Sequence, residues 1–478
     1  MKTFPNLKAG RARTLALAIS AVFVGGCATF SADGGFGTVE TAAKERLNKE
    51  VKWVKSDADA ESVQTTIKQL LAKPLSADDA VQIALLNNPG LQATYAELGI
   101  AEADLVQAGR MTNPHFAYLR TRDNEGSKIE WALTFPIIDL LTIPLRTKIQ
   151  ARHFEEAKLG VAGQVVGIGI ETRRAHYQAV AAEETVRYME QVKTAAEASA
   201  ELMRRMARAG NLNKLTQMRE QVFYAEVVTR LGRARQAAVA ERERLTRLMG
   251  LYGEDVNFKF PERLPDLPAK LPELKDLEVT AMTRRFDVQA AKRETESLAG
   301  SLGLTRATRF INVLEAGPAR TREEPGGWKR GFEVSLQVPI FDWGGARVAK
   351  AEAIYMQSVH RLAQIAINAR SEVRETYSAY RTAFDTAKHY RQEIVPLRKK
   401  ISDENLLRYN GMLISVFELL ADAREQVASV NASINALRDY WLAEADLQAA
   451  LNGAQAGRPG SGPQAGGGAI PNPALAGH

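Results

Sequence analysis

Side chains able to do chemistry are sparse in this 478-residue chain. The six histidines, His115, His153, His176, His360, His389 and His478, are scattered, with no His-x3-His step and no cysteine beside them, so no metal site follows. Met203, Met206 and Met218 carry thioethers of the kind that suit Cu(I), but their place around one helix turn reads as packing. No Gly-rich phosphate loop and no nucleophile elbow is present, and the many carboxylate pairs lie on helix surfaces with cations nearby. The expectation is no enzyme, no cofactor and no metal. Two acids stand apart. Glu418 and Asp422 are one helical turn from each other, so both can face the same side. One thiol also stands apart. Cys27 is the only cysteine, which rules out a disulfide, and it ends a segment with a basic start (Lys2, Lys8, Arg11, Arg13) and an apolar middle (residues 15–24) too short to span a bilayer.

The formal charge of +7 invites a nucleic-acid reading. Four of those charges sit in the leader, with no acid to offset them, leaving +3 on the rest. That balance is near neutral and no basic patch dominates, so nucleic acid is not an expected partner. No later run of 18 apolar residues exists, so no α-helical span is expected. The stretch from 453 to 478 is Gly/Pro/Ala-rich with almost no charge and is expected to stay disordered, because it cannot bury enough apolar surface.

Two alternating stretches organise the remainder, residues 129–139 (IEWALTFPIID) and 332–342 (FEVSLQVPIFD), matched at an offset of 203. Ile129, Trp131, Leu133 and Phe135 oppose Glu130, Ala132 and Thr134. Phe332, Val334, Leu336 and Val338 oppose Glu333, Ser335 and Gln337. Such a strand has one dry and one wet side, and no soluble sheet is in prospect to cover the dry one. Lipid is the expected cover. Each stretch has a second strand candidate before it, residues 114–121 and 310–317, joined by a polar loop that is about six residues longer in the second copy. Pro136 and Pro339 mark where strand bends into helix.

Very long helices surround these hairpins. Ser76 with Asp79 three residues on marks a helix start; Asn88-Pro89-Gly90 breaks the pattern. A helix of unusual length is expected from about 144 to 209, then a return helix from 213 to about 249. The proline-rich residues 250–272 must be non-helical. The plan then repeats: residues 285–290 match 88–93, a helix runs from about 346 to 409, and its return carries a heptad-like seam of Val427, Val430, Ile434, Leu437 and Trp441. Gly210 and Asn211 end the first long helix, and Asn410 and Gly411 end the second, with Gly411 matched to Gly210 as a left-handed cap.

Four strands cannot close a barrel, and open sheet edges are not tolerated in lipid. Closure needs at least about eight strands, so two or more chains must share one barrel. Eight strands from a dimer would be plugged by side chains, whereas twelve from a trimer leave a pore.

The duplicated helix–strand–strand–helix plan resembles TolC-like outer membrane efflux proteins, as do "VPIFD-x-GG" at residues 338–345 and the helix turn at residues 408–426. The resemblance implies a mainly α chain with a membrane β-barrel: a long coiled-coil α-barrel, and four strands per chain in a shared trimeric twelve-stranded β-barrel. It implies an exit duct of a tripartite efflux system for drugs or heavy-metal ions. Its partners would be a periplasmic adaptor at the helix tips (Gly210, Asn211, Asn410, Gly411) and an inner-membrane pump. Glu418 and Asp422 occupy the stretch where family members form a periplasmic aperture. Val24-Gly25-Gly26-Cys27 resembles a lipobox, implying acyl chains on Cys27 and an outer-membrane lipid anchor. Residues 1–26 are then a lipoprotein signal, 27–74 a periplasmic arm, 75–272 and 273–453 the two repeats, and 454–478 the tail. Leu140–Pro144 departs from the family pattern that Trp343-Gly344-Gly345 follows. A type I secretion channel and a non-conducting envelope lipoprotein are the alternatives.

Overall fold

A computed structural model describes residues 29–122, 126–272, 276–311, 313–324 and 326–454. The leader, Cys27 and the tail from 455 onward lie outside the described residues. In chain order, helices α1 (Phe36–Leu47) and α2 (Asp57–Leu71) precede α3 (Ala77–Asn87) and α4 (Pro89–Ala108). Strands β1 (His115–Arg122) and β2 (Ser127–Pro136) lead into α5 (Ile137–Arg208) and its return, α6 (Lys214–Met249). The second copy runs α7 (Leu277–Arg284), α8 (Phe286–Ala307), β3 (Leu314–Glu323), β4 (Trp328–Leu336), α9 (Gly345–His389), α10 (Val395–Asn410) and α11 (Val416–Asn452).

Local chemistry explains the boundaries. Ser76 Oγ accepts from the Asp79 amide and donates to Asp79 Oδ2 at 2.6 Å, so both ends of the cap are satisfied at α3. Asn88 is extended (φ −67°, ψ 116°) as the residue before proline prefers, and Pro89 opens α4, where its missing amide costs no helical bond. Residues 250–272 are non-helical apart from one 3-10 turn at Gly253–Val256.

Four expectations need correction. α5 starts at Ile137 rather than near 144, directly after β2, and contains Pro144. Pro144 falls in the second turn, so the one carbonyl it leaves without a helical donor, that of Leu140, belongs to an exposed residue. The second copy behaves differently. Residues 337–344 stay non-helical and α9 begins at Gly345. Asp342 Oδ1 accepts from the Gly344 amide at 2.8 Å, and Gly344 has φ +73° with a Cβ position only 2.6 Å from the Arg309 carbonyl, so glycine alone fits. Pro136 ends a strand, and Pro339 lies in this loop.

The helix expected from 346 to 409 is interrupted by a π turn at Tyr390–Ile394, where the Val395 amide reaches back to Tyr390 O. Pro396 next to it can neither donate to residue 392 nor pass its carbonyl, and the wider turn accommodates both defects. The second hairpin's loop is not six residues longer than the first, and its two strands together are only one residue longer. β3 begins at Leu314, not 310, and the last pair, Arg322 with Trp328, spans a loop almost as short as that between Arg122 and Ser127.

The strands form one antiparallel sheet in the order β1-β2-β3-β4. The chain divides into two compact units, each drawing on both repeats. The first (residues 1–38, 94–161 and 287–366) holds the sheet. In it α5 meets α8 through Arg152 to the Glu296 carbonyl and Ser297 to the Ile149 carbonyl. The second unit (residues 39–93, 162–286 and 367–478) holds most of the core. One cluster packs Ile67, Leu75, Ile83 and Ala84 with Leu245, Met249 and Phe258. Another packs Tyr380, Phe384 and Ala387 with Ala436, Tyr440 and Leu447, and the predicted seam enters a third through Val430, Ile434, Leu437 and Trp441.

The duplication persists in hydrogen bonds of the second unit. Asn88 Nδ2 donates to Leu248 O at 2.8 Å, and Arg285 Nη1 donates to Ala450 O at 2.9 Å. In each copy the residue at the helix break ties down the C-terminal carbonyls of the return helix. Each return helix then ends in a left-handed glycine, Gly250 (φ +66°) or Gly453 (φ +64°).

Candidate membrane face and docking tips

Residues paired across an antiparallel ladder put their side chains on the same face. Trp131 pairs with Tyr118 on one side and Arg320 on the other, and Phe135 pairs with Ala316. Ala316 pairs in turn with Val334, and Pro318 with Phe332. The two predicted apolar sets therefore lie on one face of one sheet: Ile129, Trp131, Leu133 and Phe135 of β2 with Phe332, Val334 and Leu336 of β4. Val338 lies beyond the end of β4, exposed in the following loop. Phe332 is 69% exposed and Val334 58%. Phe116 and Tyr118 of β1 join the same face and are equally uncovered. Sequence reasoning missed these two, although the alternation in Phe116-Ala117-Tyr118 carried the signal.

The opposite face holds Glu130, Glu315, Glu333, Ser335 and Thr134, whose Oγ1 donates to Glu315 Oε2 at 3.1 Å. Small residues line its middle. A Cβ on Gly317 would fall 1.8 Å from the Leu133 carbonyl, so β3 can pass this close to β2 only as glycine. Sheet edges β1 and β4 have no strand partner among the described residues.

At the first helix turn, Gly210 takes φ +75°, its amide bonds Ala207 O, and the Asn211 amide bonds Met206 O, a Schellman arrangement. Asn213 then caps α6 by accepting from the Thr216 amide at 2.8 Å. The second turn repeats this with Met412 (φ +60°) bonded to Tyr409 O, Leu413 bonded to Arg408 O, and Ser415 capping α11. Gly411 is not the left-handed residue; its φ is −80°. The expected match of Gly411 to Gly210 is thus one residue off, because a methionine takes the conformation that glycine usually holds. Gly210, Asn211, Asn410 and Gly411 are all exposed, as are Met412 (93%) and Leu413 (77%).

Glu418 and Asp422 do not share an exposed face. Glu418 is exposed, whereas Asp422 is 8% exposed with Oδ2 unpartnered. Spacing of four places two residues on one side of a helix, but the packing around α11 covers only the second. Sequence reasoning also missed Glu220 of α6, which is 1% exposed with neither carboxylate oxygen hydrogen-bonded. Its nearest cation is Arg424 of α11 at 3.8 Å, and that guanidinium lies over the Phe223 ring at 4.4 Å. His176 is buried, with Nε2 donating to the Leu75 carbonyl at 2.7 Å, and burial brings its pKa down to about 4. Burial likewise raises the Glu444 carboxyl. No cluster of three or more metal-ligating side chains occurs among the described residues. No helix there is long and apolar enough to cross a membrane.

Solved membrane proteins share this fold. A membrane protein from Pseudomonas aeruginosa superposes with a TM-score of 0.69 at 19% identity, covering 79% of this chain and 92% of its own. The outer-membrane channel OprN gives 0.65 at 17%, covering 86% and 95%. CusC, described in terms of folding and transmembrane channel formation, gives 0.64 at 16%, covering 81% and 92%. The fold is TolC-like. Searches of family models and of curated proteins returned no match. The mainly α architecture with a small antiparallel sheet is the one the duplicated sequence implied.

Proposed function

We propose that this protein is the outer-membrane channel of a tripartite efflux system, a passive exit duct without catalysis. One observation carries the reading: both repeats deliver their apolar strand residues to the same face of a sheet with two open edges. A sheet of this kind is satisfied in lipid only by closing with further copies, and three copies give a twelve-stranded barrel wide enough for a pore. The TolC-like fold and the channel descriptions of its neighbours, OprN and CusC, support it.

In this reading the apolar face meets outer-membrane lipid and the Glu130/Glu333 face lines the pore. The long helices extend into the periplasm, and the turns at Gly210–Asn211 and Asn410–Leu413 dock on an adaptor that links to an inner-membrane pump. Acyl chains on Cys27 add an anchor, each buried methylene contributing about 0.8 kcal/mol. Glu418, exposed one turn above the second tip, is the candidate for an acidic ring at the aperture.

The test is the molar mass of protein extracted in mild detergent, corrected for bound detergent, followed by conductance in planar bilayers. A conducting trimer is the expected result. A folded monomer, or a trimer that never conducts, would reject the duct.

A further inference from the structure

The charged residues of the sheet are sorted by face, and by type. All five arginines of the strands, Arg120, Arg122, Arg320, Arg322 and Arg330, fall on the apolar face. All four glutamates and both lysines fall on the other, where Lys128 pairs with Glu130 at 2.6 Å and Lys329 with Glu323 at 2.7 Å. The apolar face carries no carboxylate among the described strand residues. Among the described residues only Arg322 has an acid within 4 Å, Glu324 of the hairpin loop at 3.9 Å.

Position along the strands is sorted too. Two adjacent rows nearest the hairpin loops hold four of the five: Arg120–Ile129–Arg322–Trp328, then Tyr118–Trp131–Arg320–Arg330. Arg122 lies beyond them toward the loop. The rows toward the helices hold only Phe116, Leu133, Phe332, Phe135, Val334 and their apolar neighbours. All five guanidiniums are exposed, and that of Arg320 lies 5.2 Å from the Trp131 ring centre. Trp and Tyr mixed with cations at one end of an apolar band mark a water–lipid boundary. Guanidinium, unlike ammonium, presents a planar fork of donors that matches phosphate oxygens.

We propose that this arginine belt binds the phosphate groups of the outer leaflet's phosphoglycolipid, the lipid A type, around the mouth of the barrel. The proposal rests on the channel reading, which sets the hairpin loops at the outer surface. A face bearing five arginines and no carboxylate of its own inside hydrocarbon is untenable, and at the headgroup layer it attracts anions. The lysines at the same level supply the internal control, because they point the other way.

The full-length trimer in detergent is titrated with diphosphoryl lipid A and with its dephosphorylated form, and bound lipid is counted by native mass spectrometry. The expected result is at least tenfold tighter retention of the phosphorylated lipid, lost in the triple variant Arg120→Gln/Arg320→Gln/Arg330→Gln and kept in Lys128→Gln/Lys329→Gln. Equal retention of both lipids, or a triple variant that still discriminates, would overturn the belt. So would displacement of the lipid by millimolar inorganic phosphate, which would mean a free-anion site. Trimer mass and conductance, read on the same preparation, separate the two levels: their loss in the unaltered protein rejects the duct, whereas a conducting trimer blind to lipid phosphate rejects the belt alone.

Discussion

Gly210 and Met412 occupy the same position of a duplicated turn, each in the left-handed region, each followed three residues on by a helix N-cap, Asn213 or Ser415. Only the first is a residue suited to that conformation. A side chain at positive φ costs about 1–2 kcal/mol, so the second turn holds strain that the first does not.

Met412→Gly is therefore expected to raise stability by about 0.5–1 kcal/mol, the relief of strain less the added freedom of the unfolded chain. Gly210→Met should lower it by about 1 kcal/mol, since a Cβ at Gly210 meets nothing within 4 Å and only the backbone resists. Denaturant midpoints with unchanged slopes would measure both. Effects of the same sign at the two sites would contradict the equivalence.

Burial of His176 makes stability depend on pH. Its folded pKa, near 4, is below the ordinary 6.5, so between these values the unfolded chain binds the extra proton. Stability should be full above about pH 6.5 and fall as pH drops toward 4, by at most about 3 kcal/mol from this group. His176→Gln can keep a donor toward Leu75 O without titrating, and should flatten that stretch of the profile. A profile unchanged by the substitution would assign the acid sensitivity elsewhere.

Arg285 is 2% exposed and holds both Glu372, at 2.7 Å, and the Ala450 carbonyl. Arg285→Ala leaves that carbonyl unpaired and empties a large buried volume, and a loss of about 2–4 kcal/mol is expected. Asn88→Ala, which removes the equivalent tie to Leu248 O, should cost about 1–2 kcal/mol. Thermal unfolding would rank the two, and a reversed order would count against the account.

Phe332→Arg and Ser335→Arg place the same charge on opposite faces of β4. On the apolar face it should cost about 2–4 kcal/mol at mid-bilayer depth and deplete membrane-assembled trimer. On the polar face assembly should persist while pore conductance shifts. Equal trimer yields in outer-membrane fractions would mean that the apolar face is not against lipid.

Glu418→Ala is expected to reduce cation preference in single-channel recordings, because Glu418 is exposed. Asp422→Asn should leave selectivity alone, because its carboxyl is buried. Unchanged selectivity in both variants would leave Glu418 as a solvated surface acid.

Much of this architecture was legible in the residues. Period-two alternation announced both β2 and β4, and a proline after an asparagine fixed the break between α3 and α4. The misreadings have physical sources. A left-handed methionine defeats any rule that looks for glycine, so the pattern points to Gly411 rather than Met412. The π turn follows from Pro396, whose effect depends on how neighbouring turns absorb it. Asp422 shows that spacing gives the side of a helix but not what covers that side. The sorting of arginine against lysine needed the pairing register across all four strands, which no single strand carries.

That register has a further consequence for how the chain can change. Each step from strand to strand preserves face only because the pairings β2–β3 and β3–β4 are in phase with the side-chain alternation. One residue added within β3 would rotate Phe332, Val334 and Leu336 to the side of the glutamates and bring Glu333 to the other. Two added residues would leave every side chain facing as before. Length variation in these hairpins is thus tolerated in even steps and punished in odd ones, a parity rule that a set of single- and double-residue insertions would expose directly.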